Sequence, residues 1–252
     1  MSELAQGAAW LSLQVALLTV LIVTPAAVFL AHWMARARWR GKVLLDTLIL
    51  LPLGLPPAVI GFWLLSSLGE RGALGEWLHE ALGLRLTLYP GGAVIAAGLM
   101  TLPLMTRLLR PAFEAHDPMS VAVARTLGAS RWQAWRTLTL PLVAPAVASA
   151  MALGLAAAWG ESGATLVLSA WLQSPTSQAA ASGAAAPMGG TAVVALWEAL
   201  RQPDQAAVAR ELAGVSLLLA LVAVMLSETL RARWQRHLSS RPRHAPSPGP
   251  HP

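Results

Sequence analysis

The sequence predicts an all-α integral membrane protein, a bundle of about five transmembrane helices with its N-terminus outside and its C-terminus in the cytoplasm. Of its 252 residues, 56% are hydrophobic and 12% are charged, whereas a soluble domain carries about 25% charged residues. Apolar runs of about 20 residues, long enough to cross a bilayer, recur along the chain. Most of the 18 Lys and Arg residues flank these runs on the side that this orientation places in the cytoplasm, an asymmetry that orients membrane helices.

The composition also excludes several classes of function. The chain has no cysteine, which removes disulfides, thiolate metal sites and cysteine nucleophiles. Its net charge of +6 would suit nucleic-acid binding in a soluble protein, but here the basic residues border apolar runs and therefore act as topology signals. We expect the lipid bilayer, and no nucleic acid, as the surroundings of this chain.

The first predicted span covers about residues 10–34. Glu3 precedes it and no Lys or Arg does, whereas a secretory signal begins with a positive segment, so we interpret this run as a retained span. A basic cluster follows and holds that end in the cytoplasm; it consists of Arg36, Arg38, Arg40 and Lys42.

The second predicted span, about 44–68, contains the run LPLGLPPAVIG. Three prolines and two glycines within this one helix interrupt its backbone hydrogen bonding at several points; they are Pro52, Pro56, Pro57, Gly54 and Gly61. Such breaks are tolerated in a membrane only where the freed backbone groups are buried in protein or line a cavity. Two interpretations stay open, a proline-kinked packing helix and a bend that faces a transport path.

A mixed-charge segment at 69–87 is predicted to lie outside, with a short amphipathic helix around Leu74 to Leu82. The third span covers about 88–109 and the fourth about 138–159. Between them, residues 110–137 form a polar, basic loop that belongs in the cytoplasm. Its exposed face is therefore free to meet a soluble partner.

The last third of the chain is less regular. Residues 174–190 are rich in Ala, Ser and Gly and indicate a flexible external loop, and 191–200 predict a short helix on the outer surface. The fifth span covers about 212–228, with Glu211 and Glu228 at its ends; these side chains snorkel to the interface, or the helix lies partly inside the bundle. We expect residues 1–238 to form a single transmembrane domain and 239–252 to be a disordered cytoplasmic tail.

The sequence offers no nucleotide or metal site. A P-loop requires a lysine after a glycine-rich stretch, and the lone lysine, Lys42, lacks that context. No group of His, Asp or Glu has metal-ligand spacing. We therefore expect no cofactor and no catalysis in this chain.

The run Gly160-Glu161-Ser162-Gly163 raises a remote alternative, an intramembrane serine protease. Such a serine needs a general base within hydrogen-bond reach, but no histidine falls in the middle of a predicted span. A glycine-flanked helix end is the simpler interpretation. For Glu161 itself two interpretations stay open, solvation among the headgroups and commitment to a functional contact.

The basic loop resembles the cytoplasmic loop of the membrane subunits of ATP-binding-cassette (ABC) importers. That loop has the form Glu-Ala-Ala, a short gap, Gly, a longer gap, and Leu-Pro. Here Ala124, Gly128 and Leu140-Pro141 occupy the matching positions. Ala122 stands in place of the glutamate and Val123 in place of the middle alanine, so the acidic residue of the loop is missing.

Within that group the chain resembles the molybdate permease subfamily. The likeness is carried by LLDTLILLPLGLPPAVIGFWLL at 44–65, GGAVIAAGLMTLPLMTRLLRPAFE at 91–114, ARTLGASRW at 124–132 and GESGATLVL at 160–168. Members of the subfamily usually have Phe where Ser162 stands, and a short loop where this chain carries its Ala/Ser/Gly-rich run. The likeness resumes weakly at 191–200.

This resemblance implies a type I ABC importer permease fold in a bacterial inner membrane. It implies a homodimer around a central pathway, cytoplasmic ABC ATPase subunits that bind ATP–Mg, and a periplasmic oxyanion-binding protein. The cargo it implies is molybdate, with tungstate, sulfate or thiosulfate as alternatives. Apart from the resemblance, a third class of function stays open, a structural membrane protein whose basic loop is only a topology signal. The implied ATPase-coupling residues are Val121, Ala122, Val123, Ala124, Arg125, Leu127, Gly128, Ala129, Leu140 and Pro141. The pathway candidates are Pro52, Pro56, Pro57, Gly61, Gly160, Glu161, Ser162, Gly163 and Thr165.

Overall fold

The computed structural model describes residues 2–37, 41–69, 72–83, 91–115, 118–165, 167 and 190–239, and every regular element in these ranges is helical. Residues Trp135–Thr139 form a π-helical turn, and Pro203–Gln205 form a 3₁₀ turn. The α-helices are α1 (Glu3–Arg36), α2 (Lys42–Gly54), α3 (Pro57–Leu68), α4 (Ala73–Leu82), α5 (Gly91–Glu114), α6 (Pro118–Thr126), α7 (Arg131–Ala134), α8 (Leu140–Gly160), α9 (Ala192–Arg201) and α10 (Ala206–Ser239).

Four helical stretches are long and apolar enough to cross a membrane, namely Glu3–Arg36, Gly91–Glu114, Arg131–Thr165 and Ala206–Arg233. The pair α2 and α3 makes a fifth if it is counted as one span, although its two helices are bent by 103°. The predicted all-α class with about five membrane helices is confirmed. Residues 174–189 of the Ala/Ser/Gly-rich run, the predicted tail beyond Ser239, and Arg38 and Arg40 lie outside the described residues.

The second predicted span is a broken helix because two consecutive residues each precede a proline. Steric clash with a following proline ring pushes a residue out of the α region. Leu55 (φ −89°, ψ 145°) and Pro56 (φ −57°, ψ 130°) are both extended. The helix therefore ends at Gly54 and restarts at Pro57, where a missing N–H costs nothing because the first turn leaves it unpaired anyway.

Small residues let α1, α5 and α8 pack closely in the centre of the bundle. Ala27, Ala31, Ala112 and Ala150 are buried there beside the larger Phe113. Lipid tails are as apolar as leucine, so membrane helices associate through close van der Waals contact, which small residues permit.

Buried hydrogen bonds join α8 to α10. The Ser149 hydroxyl lies 2.9 Å from both the carbonyl oxygen and the hydroxyl of Ser227. Near the C-terminal end of α8, the indole Nε1–H of Trp159 donates to Ser216 Oγ at 3.1 Å. Interhelical bonds of this kind contribute about 0.6 kcal/mol each on average in a membrane protein, so they fix the register of α10 more than they stabilise the fold.

One ion pair ties α2 to the bundle. Arg110 Nη1 lies 2.8 Å from Asp46 Oδ2, and Arg110 Nε lies 2.7 Å from Glu114 Oε1. No residue of α2 is buried, so this half of the broken span packs only loosely against α5.

Candidate functional site

The broken span formed by α2 and α3 and the segment that follows α8 meet in the structure. The turn that follows α8 packs against the first turns of α3. A Cβ atom added to Gly163 would lie 2.3 Å from Pro57 Cβ, and one added to Gly61 would lie 2.8 Å from the Cα of Ala164. Real Cβ atoms do not approach other atoms so closely, so glycine is required at both positions. We call this contact of Pro57, Gly61, Gly163 and Ala164 the glycine seam.

Glu161 holds the break after α8 in shape. Its backbone is extended (φ −65°, ψ 121°) and ends α8. Its side chain is buried, and the carboxylate accepts hydrogen bonds from the backbone N–H groups of Ala164, at 3.0 Å, and Thr165, at 3.2 Å. The Thr165 hydroxyl also bonds the carboxylate. The carboxylate thus caps the helical turn at 163–165, where negative charge is favoured.

This contact accounts for the position of the Glu161 carboxylate. The residue is 9% exposed, and its carboxylate is committed to the N–H groups and the hydroxyl of its own turn. Glu161 therefore positions the segment that carries Gly163.

Substitutions of Glu161 should distinguish the contribution of its negative charge from that of its hydrogen-bond acceptor. Glu161→Gln keeps an oxygen acceptor for one N–H, whereas Glu161→Ala leaves both N–H groups of the turn without their partner, at a cost of about 1 kcal/mol for a lost cap and more where the site is buried. We expect the thermal unfolding midpoint of the detergent-solubilised protein to fall for the alanine variant and to fall less for glutamine. Glu228→Ala, an exposed residue of α10, is the control. Equal midpoints for Glu161→Ala and wild type would show that the cap contributes nothing.

The other pathway candidates lie apart from this contact or on its edge. Pro52 lies within α2, on the far side of the bend, and Gly160 is exposed at the end of α8. Pro56 is one of the two extended residues between α2 and α3. Ser162 is half-buried beside Glu161, and its hydroxyl takes part in none of the hydrogen bonds among the described residues. Within those residues no group of three His, Asp or Glu is placed to hold a metal ion.

The basic loop between α5 and α8 folds as helix, glycine turn, helix. The N–H of Ala129 donates to the carbonyl of Ala124 at 3.0 Å, and that of Gly128 to the carbonyl of Arg125 at 3.1 Å. Gly128 has φ +95°, a backbone conformation that glycine adopts freely and other residues avoid. This is the Schellman arrangement that ends α6.

The next helix starts with a reciprocal cap. The N–H of Gln133 donates to Ser130 Oγ at 3.2 Å, and the N–H of Ser130 donates to Gln133 Oε1 at 2.9 Å. The spacing Ser-x-x-Gln is the sequence signal for this capping box, which was not among the predicted features. The Schellman turn and this capping box together fix the direction in which the chain leaves Gly128.

An exposed apolar ridge runs along one side of α6 and onto the residue that follows it. Met119, Val123 and Leu127 recur every four residues and are 64%, 50% and 83% exposed. Val121 and Ala124 are half-buried and face the rest of the chain, while Ala122 is exposed. Leu140 and Pro141 open α8, after the π-helical turn.

The π-helical turn is explained by Pro141. A proline inside an α-helix has no N–H, and its ring clashes with the carbonyl four residues earlier, here that of Thr137. The chain widens before the proline, so the N–H of Leu140 bonds to the carbonyl of Trp135, five residues back. Single π turns of this kind occur frequently at functional sites.

Pro141→Ala should therefore let the π turn relax to an α-helix. Removing one residue from the wide turn rotates α7 by about 100° relative to α8, since an α-helix has 3.6 residues per turn. The chain has no cysteine, so spin labels at Arg131→Cys and Ala148→Cys report the change as a shifted interlabel distance. Pro145→Ala, inside α8, serves as the control. An unchanged distance in Pro141→Ala would mean that the turn is set by other contacts.

Comparisons with known proteins identify the family of this chain. Residues 23–244 match the family described as "Binding-protein-dependent transport system inner membrane component". The chain is 37% identical over 231 residues to the molybdenum transport system permease protein ModB of Escherichia coli K12, which covers 92% of this chain and 95% of the relative. It is 34% identical to ModB of Haemophilus influenzae, over 90% of this chain and 94% of the relative.

Two further similarities are more distant. The sulfate transport system permease protein CysT of Escherichia coli K12 is 34% identical over 59% of this chain and 54% of that protein. Among solved structures, a bacterial ABC transporter that imports the acidic polysaccharide alginate matches with a TM-score of 0.57 and 17% identity, over 94% of this chain and 80% of that one. At that identity the likeness concerns the fold alone.

Proposed function

Because the chain belongs to the family of binding-protein-dependent transport system inner membrane components, we propose that it is the permease subunit of an ABC importer for molybdate. It is a non-catalytic membrane subunit that forms the translocation pathway in the bacterial inner membrane. ATP–Mg is bound and hydrolysed by separate cytoplasmic ATPase subunits, and a periplasmic oxyanion-binding protein delivers the cargo.

The observation that carries this proposal is the 37% identity to a molybdenum permease across 92% of the chain. The likeness spans both interrupted membrane segments and the loop between α5 and α8, which are the parts that a permease needs for gating and for coupling. The predicted resemblance to the molybdate permease subfamily is thus confirmed.

The geometry of the broken span supports a pathway formed by two copies. Gly54 and Pro56, at the bend between α2 and α3, are exposed on the surface of a single chain. Prolines at 56 and 57 remove two N–H donors, so nearby carbonyls lose their helical partners, and free backbone groups do not face lipid. The bend therefore faces a water-filled cavity or protein, and a homodimer arranged around a central path supplies both.

The loop between α5 and α8 is the docking element for the ATPase in this proposal. A short helix with an exposed apolar ridge fits a groove in a partner, and a rigid lever of this kind converts closure of the ATPase dimer into rocking of the spans. The residues expected to act there are Val121 to Arg125 and Leu127 to Ala129, with Leu140 and Pro141 at the base of the lever.

An anion is the cargo that suits the charge pattern. The centres of the predicted spans hold no Lys or Arg, and a fixed cation in a dry pathway would hold a dianion too tightly for release. Sulfate or thiosulfate is the second candidate, because the chain is also similar to a sulfate permease, and tungstate shares the tetrahedral shape of molybdate.

The test is uptake by the complete system. We expect vesicles that contain the permease and its ATPase, supplied with the binding protein and internal ATP, to accumulate radiolabelled molybdate. Excess tungstate should compete, and excess sulfate should compete weakly. Accumulation of sulfate in preference to molybdate would establish the second candidate, and failure to accumulate any of the three oxyanions would refute the proposal. Ser162→Ala should leave uptake intact, whereas it would abolish the activity of a serine protease.

A further inference from the structure

From Pro118 onward, the loop between α5 and α8 carries only positive charge. From Pro118 to Gly160 the sequence contains no Asp or Glu. Of the acidic residues that precede it, Glu114 pairs with Arg110 and Asp117 lies outside the described residues. The position at which the ABC importer pattern has a glutamate is Ala122, and its side chain is exposed.

Three arginines of the loop point into solvent. Arg125, Arg131 and Arg136 are all exposed, and none forms an ion pair with any residue that the structure describes. Arg125 lies on α6 itself, and Arg131 opens α7 directly after the Gly128 turn. An arginine presents a planar fork of five N–H donors that matches a carboxylate in two-point contact. The loop thus offers cations that this chain does not neutralise.

The arginines border an apolar centre. The ridge of Met119, Val123 and Leu127 is exposed, and Trp132 lies beyond the turn, 64% exposed and stacked on Trp135 with ring centroids 5.1 Å apart. An apolar centre surrounded by charge is the usual anatomy of a protein interface. In such an interface the rim charges select the partner and speed the encounter.

Given the docking role proposed above for this loop, on which this inference rests, we infer that the loop selects an ATPase whose groove has an apolar floor and a rim of carboxylates. Arg125 and Arg131 pair with that rim, and the ridge fills the floor. In this interaction the loop contributes the cations and the ATPase contributes the carboxylates. A loop with a glutamate at position 122 would instead contribute the negative charge, and its ATPase the cation.

The experiment compares charge reversal in the loop with charge reversal elsewhere on the same helical bundle. The permease is purified with the ATPase subunit that supports its uptake, and the affinity of the two is measured in neutral vesicles. Arg125→Glu with Arg131→Glu should weaken association at least about tenfold near 0.1 M NaCl, because rim charges set the salt-dependent part of binding. The loss should shrink near 1 M NaCl, where the screening length falls from about 10 Å to about 3 Å. Arg233→Glu, an exposed arginine of α10, should bind as wild type does.

Recovery of binding by compensating substitutions in the ATPase is the more specific test. Replacing carboxylates at the rim of the ATPase groove by lysine should weaken binding to the wild-type loop and recover binding to the reversed loop. Association that is unchanged in Arg125→Glu with Arg131→Glu, or weakened equally at both salt concentrations, would overturn the inference. So would a loss that appears only in anionic vesicles, since the arginines would then serve lipid headgroups.

Leu127→Asp separates this inference from the proposed function. If it abolishes ATPase binding while charge reversal has no effect, the loop docks through its ridge alone and the acidic rim is refuted. If Leu127→Asp binds the ATPase as tightly as wild type does, the docking role itself is refuted.

Discussion

Gly163→Ala is expected to reduce oxyanion uptake by at least about tenfold, and Gly163→Val to abolish it. The added Cβ would lie 2.3 Å from Pro57 Cβ and 3.2 Å from the backbone nitrogen of Ala58. The proline ring is rigid and cannot rotate away, so α3 and the turn after α8 must move apart. Overpacking of this kind costs about 1–3 kcal/mol, and each 1.4 kcal/mol changes an equilibrium about tenfold. The measurement is the initial rate of molybdate uptake into vesicles.

The control for this prediction lies three residues away. Gly160 has no atom within 4 Å of an added Cβ, so Gly160→Ala should transport as wild type does. Gly61→Ala should behave as Gly163→Ala does, because its Cβ would lie 2.8 Å from the Cα of Ala164. All three variants should still bind the ATPase. Wild-type uptake by both seam variants would mean that transport does not depend on close packing at the glycine seam.

Gly128→Pro is expected to abolish both ATPase binding and uptake. Proline fixes φ near −65°, whereas this position has φ +95°, and proline lacks the N–H that Gly128 donates to Arg125. The Schellman turn cannot form, so α6 and α7 lose their relative orientation. Gly128→Ala should have an intermediate effect, since a left-handed conformation costs an L-residue about 1–2 kcal/mol. Affinity for the purified ATPase is the direct measurement.

A glycine of the same kind provides the matched control. Gly83 also has positive φ, +64°, and ends α4 on the surface predicted to lie outside. Gly83→Pro disrupts an equivalent cap far from the loop, so ATPase binding should persist. Retention of full ATPase affinity by Gly128→Pro would leave the loop as a topology signal without a docking role.

The shape of the loop between α5 and α8 is set by neighbouring residues, so the signals for it lie within a short stretch of sequence. Gly128 supplies the positive φ that ends α6, and Ser130 with Gln133 supplies the cap that begins α7. The break in the second span is equally local, since Pro56 and Pro57 exclude the helix by steric clash with the residues before them. The angle of that break was not foreseen, and a span predicted as one helix is two helices at 103°.

The sequence alone determined the class of molecule, its apolar segments and the resemblance to molybdate permeases, because these depend on composition and on patterns within short windows. Only the tertiary structure decided that Gly61 and Gly163, about a hundred residues apart in the chain, lie in one seam, and that the Glu161 carboxylate caps the turn that brings them together. Neither residue carries a local signal for its partner. Such a contact is specified by which backbones can approach closely once the helices pack, and a linear pattern does not contain that information.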